Sequence, residues 1–180
     1  MNLIKNWKPI IDRFHAKLSS WKAATLSFGR RLTLVKAVLG SLPTYFLSLF
    51  KAPIGVMETL EKIRRKFLWG GTEDKNKIHW VSCDNIAAPI NKGGQGVGSI
   101  YALNIGLMVK WWWRLKRDQN SLWVKVISGI HKLVGKPAEY LNNRSLSGVW
   151  SNIAKTKKDI SKFGFNFEDI ITRISDNRDD

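Results

Sequence analysis

The chain has 180 residues and a mass of 20.6 kDa, with 30 Lys and Arg against 14 Asp and Glu, a formal charge of +16 and an isoelectric point near 10.2. A hydrophobic fraction of 44% and nine tryptophans are enough to build a core, which excludes a fully disordered basic tail. The single cysteine, Cys83, excludes an intramolecular disulfide and with it the stapled extracellular scaffolds, so an intracellular location, nucleus or cytoplasm, is expected.

In chain order the pattern is mostly helical. Phe14, Leu18, Trp21 and Thr25 fall at helical spacing, and Leu32, Val35, Val38, Leu39 and Leu42 repeat it until Pro43 interrupts. Gly29 lies at the junction, where a helix end often needs a residue that tolerates positive φ. TYFLSLFKA is apolar enough to be buried, as helix or as strand. A third helix starts at Pro53, carries the stripe Met57, Leu60, Ile63, Phe67 and Leu68, and stops at Gly70 and Gly71. Along it, Glu58 to Lys62 and Glu61 to Arg65 are favourably ordered i,i+4 pairs.

The texture then changes. IHWVSCD reads as a short extended segment, and INKGGQGVGS as a connection ending on Ser99, a plausible N-cap. Ile100, Leu103, Leu107, Met108, Trp111 and Leu115 make a helix ending near Asp118, and Ser121 can cap another through Ile130. Beyond it, residues 131 to 146 look like loop, Val149 to Lys158 like a short helix, and FGFNFEDIITRI like strand or frayed helix. The expected fold is mainly α, with a basic helical region over 1–71, a linker over 72–98, a Trp-rich helical connection over 99–130 and a weakly defined extension over 131–180. The longest uncharged stretch, Ala37 to Phe50, has 14 residues, short of the roughly 20 that span a bilayer. No membrane span is expected, and the N-terminus lacks the apolar centre and cleavage site of a secretory signal.

Charge is concentrated towards the N-terminus. Residues 1 to 72 hold 13 basic and 3 acidic side chains, residues 73 to 137 hold 10 and 4, and residues 138 to 180 hold 7 and 7. Between Arg13 and Met57 there is no acidic residue. A one-signed field of this size faces a polyanion, because neutralising phosphates releases condensed counterions; the plainer reading is a solvated face that aids solubility.

Several chemistries drop out. The glycines of GGQGVGS do not fall at the first, third and sixth places of a dinucleotide fingerprint, and no Lys-Ser/Thr pair follows them, so they read as a turn and not as a phosphate cradle. Zinc wants about four Cys or His ligands, and only His79 and Cys83 have local spacing, so no zinc site is expected in the chain. Cys83 has no base and orienter beside it in sequence and reads as a small buried residue. The carboxylates Glu168, Asp169, Asp176, Asp179 and Asp180 are interleaved with Arg173 and Arg178 and read as a solvated tail.

The tryptophans are more informative. Trp111, Trp112 and Trp113 are consecutive between Lys110 and Arg114, and on a helix they point about 100° apart, so one core face cannot hold all three. Either they are buried between two subdomains, or an indole stacks on a base beside cationic side chains. Trp21, Trp69 and Trp80 lie at element ends, as packing residues do.

The blocks KLSSWKAATLSFGRRLTLVKAVLGSLPTYFLSLFKAP, LEKIRRKFLWGG, KIHWV, GGQGVGSI, LNIGLMVKWWWRL and LWVKVI, in this order, resemble the region downstream of the polymerase palm in plant non-LTR (LINE-type) retrotransposon reverse transcriptases. The resemblance covers roughly residues 10 to 130 and departs from the family pattern at Arg30, Cys83 and Gln95. It implies a thumb-like helical bundle followed by a connection, from a protein whose Mg-binding palm and downstream Zn-binding region lie outside this chain. No Tyr/Phe-x-Asp-Asp turn occurs here, so the chain is not expected to polymerise by itself.

The implied function is non-specific binding of a template-primer duplex of RNA and DNA, with the palm of a longer polyprotein as a further partner and no small-molecule substrate. The expected phosphate-contacting residues are Lys17, Lys22, Arg30, Arg31, Lys36, Arg64, Arg65, Lys66, Lys110 and Arg114, with Trp112 as a stacking residue. Two rivals are a complete reverse transcriptase whose palm lies upstream, and a membrane-surface or protein-interaction module built on LPTYFLSLF.

Overall fold

The computed structural model describes residues 5–21, 25–39, 41–70, 88–130 and 148–162, together with 164, 166, 167, 169 and 170. Among the described residues seven α-helices run in the order α1 (Lys8–Ser20), α2 (Phe28–Leu34), α3 (Thr44–Leu49), α4 (Ile54–Leu68), α5 (Ile100–Arg117), α6 (Leu122–Ile130) and α7 (Gly148–Lys162). A π-helical turn, Val35–Leu39, continues α2, and 3-10 turns occupy Lys5–Trp7 and Ile90–Lys92. No strand occurs among the described residues, so the fold is mainly α as expected. The extended segment expected around IHWVSCD, with Trp80, and the loop over 131 to 146 lie outside the described residues.

The chain forms two compact units. The first comprises Met1–Phe46 and Ala52–Leu103, the second Leu47–Lys51 and Asn104–Asp180.

In the first unit α4 packs against α1 and α2. Trp7, Ile10 and Phe14 put one apolar face of the α1 region inward, while Lys8, Asp12, Arg13 and Lys17 stay exposed. The facing stripe of α4 is Val56, Met57, Leu60, Ile63, Phe67 and Leu68, all buried. Burying a side chain such as Phe14 or Leu60, each at 0% exposure, contributes roughly 1.5 to 3 kcal/mol. Ring contacts close the unit: Trp7 on Phe46 at 6.4 Å, Trp21 on Phe67 at 5.7 Å and Phe28 on Trp69 at 5.8 Å. Trp21 and Trp69 are therefore packing residues, as their positions at element ends suggest.

The junction before α2 differs from expectation. The chain does not turn at Gly29; the helix starts one residue earlier, with Ser27 extended at φ −63°, ψ 158° and its Oγ accepting from the Arg30 N–H at 3.5 Å. Gly29 sits inside the first turn of a helix that a hydroxyl caps. Pro53 flanks the start of α4, and Gly70, at φ 67°, follows its end. TYFLSL is helical, as α3.

One carboxylate ties α4 to the start of α5. Glu61 accepts from the Arg64 guanidinium at 2.8 and 3.0 Å and from the Ile100 backbone N–H at 2.7 Å. Arg64 also donates to the Gly98 carbonyl at 2.6 Å. The expected i,i+4 pairing of Glu61 with Arg65 is replaced by an i,i+3 pair with Arg64; Arg65 instead donates from Nε to the Glu61 carbonyl at 3.3 Å. Ser99 caps α5 as expected, its Oγ accepting from the Ala102 N–H at 2.9 Å. Before it, the glycines form the expected turn: the Gly96 N–H reaches the Ala88 carbonyl at 2.8 Å, Gly93 has φ 79°, and Gly94 lies so close to Ala88 that any Cβ would overlap its carbonyl.

The second unit is organised around α5 and α7. Asn104, Ile105, Met108, Val109, Trp112, Trp113 and Leu115 are buried on α5; Ile153, Thr156, Asp159 and Ile160 are buried on α7. Asn104 donates from Nδ2 to the Leu47 and Phe50 carbonyls at 2.6 and 3.0 Å, so a buried amide serves backbone acceptors in the last turn of α3 and just after it. Lys51 pairs with the mostly buried Asp159 at 2.5 Å. Helix α7 extends to Lys162, four residues beyond the expected Lys158. After it, a helical turn around Phe167 places that ring on Trp112 at 5.1 Å. No helix among the described residues is long and apolar enough to cross a membrane.

Three substitutions and one control test the first unit. Glu61→Ala leaves the buried Arg64 guanidinium without its carboxylate and the Ile100 N–H without its acceptor, and should cost roughly 2 to 4 kcal/mol in urea unfolding. Glu58→Ala, at an exposed position of the same helix, should stay within about 0.5 kcal/mol of the parent. Gly29→Ala, with helical φ and nothing within 4 Å of the new Cβ, should stabilise by about 0.4 to 1 kcal/mol. Gly94→Ala should lower the melting temperature, because the clash is with backbone that cannot swing aside.

Candidate nucleic-acid interface

The cations expected to meet phosphate divide between the two units. In the first, Lys17, Arg30, Lys36 and Arg65 are exposed, and Arg31 and Lys66 are half-buried. Lys36 lies on the π-helical turn, and its Nζ is 4.0 Å from where a Cβ on Gly96 would stand, so this ammonium borders the glycine turn. Lys22 lies outside the described residues. Arg64 is only 7% exposed and is held by Glu61 and the Gly98 carbonyl, so its charge is spent inside the fold and not on a phosphate.

In the second unit, Lys110, Arg114 and Arg117 occupy i, i+4 and i+7 on α5, and all three are exposed. That spacing places them in one row along a helix face. Arg117, which the sequence reading passed over, lies with its guanidinium 4.3 Å from the centroid of the Trp113 ring and pairs with Asp118 at 2.8 Å. Arg114 lies 5.5 Å from the centroid of Trp111. Both cation-ring distances fall within the range in which the ring quadrupole attracts a cation.

The three consecutive indoles separate as their helical angles require. Trp112 and Trp113 are buried, at 3% and 4% exposure. Trp112 also donates from Nε1 to the Ile153 carbonyl at 2.9 Å. The expectation that Trp112 stacks on a base is corrected: its ring is enclosed within the second unit, and Trp111 is the half-buried one. Trp111 donates from Nε1 to the Ser48 carbonyl at 2.7 Å. With its polar atom satisfied in this way, it meets Trp123 at 6.1 Å and Trp150 at 6.2 Å, both edge to face. Trp123 and Trp150 are near parallel, at 11° and 6.4 Å.

A cavity of about 700 Å³ opens on this cluster, with Leu49 and Ile153 as apolar walls beside the three indoles, and with Arg114, Arg117 and Asp118 in its lining. Its size falls within the usual range of ligand sites. Sequence reasoning missed Trp123 and Trp150 because they come from α6 and α7, and nothing local in either segment marks them as partners of Trp111. Among the described residues no three His, Cys, Asp or Glu side chains come together in a group that could hold a metal ion. His79 and Cys83, and the acidic positions Glu168, Asp176, Asp179 and Asp180, lie outside the described residues.

The chain is 35% identical, over 158 residues that cover 86% of it, to a protein of Arabidopsis thaliana provisionally named a ribonuclease H protein. The aligned region is 25% of that relative, so the chain spans about a quarter of its length. No protein-family model and no solved structure matches. The match overturns the reverse-transcriptase reading, because the relative is named for ribonuclease H and not for a polymerase. The polymerase-fragment function, the retrotransposon assignment and the palm partner are withdrawn with it.

Proposed function

We propose that the chain is a nucleic-acid-binding part of a ribonuclease H-related protein, holding RNA or RNA paired with DNA through its phosphates. The observation that carries this reading is the exposed row Lys110, Arg114 and Arg117 on α5, on a chain of net charge +16. Exposed guanidinium and ammonium groups keep their water until an anion displaces it, and releasing the counterions condensed on a nucleic acid makes that exchange favourable. Arg30 and Lys36 extend the same chemistry to the first unit, with Lys17 and Arg65 as further exposed cations.

The relative named for a ribonuclease supports RNA among the polyanions. Phosphate contacts position a strand without reading its bases, so binding is expected to be insensitive to sequence. Hydrolysis is not assigned to any described residue. The ion pair of Arg117 with Asp118 is exposed and contributes at most about 1 kcal/mol, so a phosphate can replace Asp118 at little cost.

Fluorescence anisotropy with a labelled RNA/DNA hybrid, titrated between 50 and 200 mM salt, should show log affinity falling linearly with log salt, with a slope near −0.9 per phosphate contacted. The double substitution Lys110→Gln with Arg114→Gln should make that slope shallower by about 2, with unfolding unchanged. Affinity independent of salt would overturn the proposal.

A further inference from the structure

We infer that the cavity bounded by Trp111, Trp123 and Trp150 takes the base of an unpaired nucleotide, with Arg114 and Arg117 holding the adjoining phosphate. The inference rests on the nucleic-acid reading above and adds that this site distinguishes a single strand from a duplex. Two observations within the second unit, and a third point about the ligand, converge on it.

The first is the wall. Three indoles from three helices meet within 6.4 Å of one another and face a cavity of about 700 Å³, a concentration of π-surface beyond what packing α5 against one neighbour needs. Trp111 has already given its N–H to the Ser48 carbonyl. What it offers a ligand is a ring face, and every base has a π-face with which to meet it.

The second is the charge around the cavity. Among the described residues two guanidiniums line it, and the one carboxylate in that lining, Asp118, is paired to Arg117. An aromatic cage for a methylated ammonium needs the opposite arrangement, in which a cation meets π-faces and unpaired carboxylates with no other cation nearby. An anionic group with an attached aromatic ring fits both parts of the lining, and a nucleotide is such a ligand.

The third is access. In a duplex the bases are stacked and paired, so a protein surface meets phosphates, sugars and base edges but no base face. An unpaired nucleotide can turn its base into a pocket, at an unstacking cost that is small where the strand is already single.

The test uses the full chain and four labelled probes: a single-stranded oligoribonucleotide, the same strand paired to its DNA complement, an abasic strand of equal length, and a trimethyllysine peptide. The intact single strand should bind about tenfold or more tighter than the abasic strand, which retains the phosphates but has nothing to stack. It should also quench tryptophan fluorescence. Trp123→Leu combined with Trp150→Leu should remove that preference while leaving hybrid affinity and its salt slope unchanged. Trp150→Phe, which retains a ring, should keep most of the preference, and circular dichroism should show both variants folded.

Equal affinity for intact and abasic strands, or a preference that survives the double leucine substitution, would overturn the base site and leave salt-dependent phosphate binding standing. Saturable quenching by the trimethyllysine peptide alone would also overturn it. Absence of binding to any nucleic acid would overturn both this inference and the reading beneath it.

Discussion

Three adjacent indoles on an α-helix cannot share a face, and the second unit is arranged around that constraint. At about 100° per residue the rings of Trp111, Trp112 and Trp113 leave α5 in different directions, and each needs its own surroundings. Trp112 finds the Ile153 carbonyl and the Phe167 ring, and Trp113 lies against the Arg117 guanidinium. Trp111, once its N–H has been taken by Ser48, is left with π-surface that Trp123 and Trp150 only partly cover. The cavity is what remains when a helix carries one more large ring than its neighbours can enclose.

The first unit depends on a different economy, that of backbone donors. A helix start leaves N–H groups without intrahelical partners, and they must be met from elsewhere. At α5 two side chains divide the task, Ser99 accepting from Ala102 and Glu61 reaching across from α4 to Ile100. Because Glu61 also neutralises Arg64, the same carboxylate fixes where α5 begins and makes a mostly buried guanidinium tolerable. Both uses come from one side chain, so a change there is felt at two elements.

Long-period patterns were legible in the sequence and side-chain choices between near-equal partners were not. The stripe from Met57 to Leu68, the Pro53 start and the Ser99 cap identify α4 and the beginning of α5, because helix period, restricted φ and hydroxyl capping are local effects. The stretch TYFLSLF could not be resolved by pattern, since a short uninterrupted apolar run satisfies strand and helix alike. Glu61 had cations at i+3 and i+4, and only the position of Gly98 and Ile100 beside α4 decides for Arg64. The surplus of Lys and Arg indicated a polyanion from composition alone. Which of Trp111, Trp112 and Trp113 is enclosed was not legible, because it depends on where Ile153, Trp123 and Trp150 lie, and Ile153 is 41 residues from the Trp112 indole that it accepts from.

The residues Leu47 to Lys51 lie in sequence inside the first unit and in space within the second. Their carbonyls receive the Asn104 amide and the Trp111 indole, and Lys51 meets Asp159 across 108 positions of chain. No single cut in the polypeptide therefore separates the two units with both intact. An expression fragment beginning at Asn104 would contain every tryptophan of the cavity and still lack the acceptor that orients the first of them.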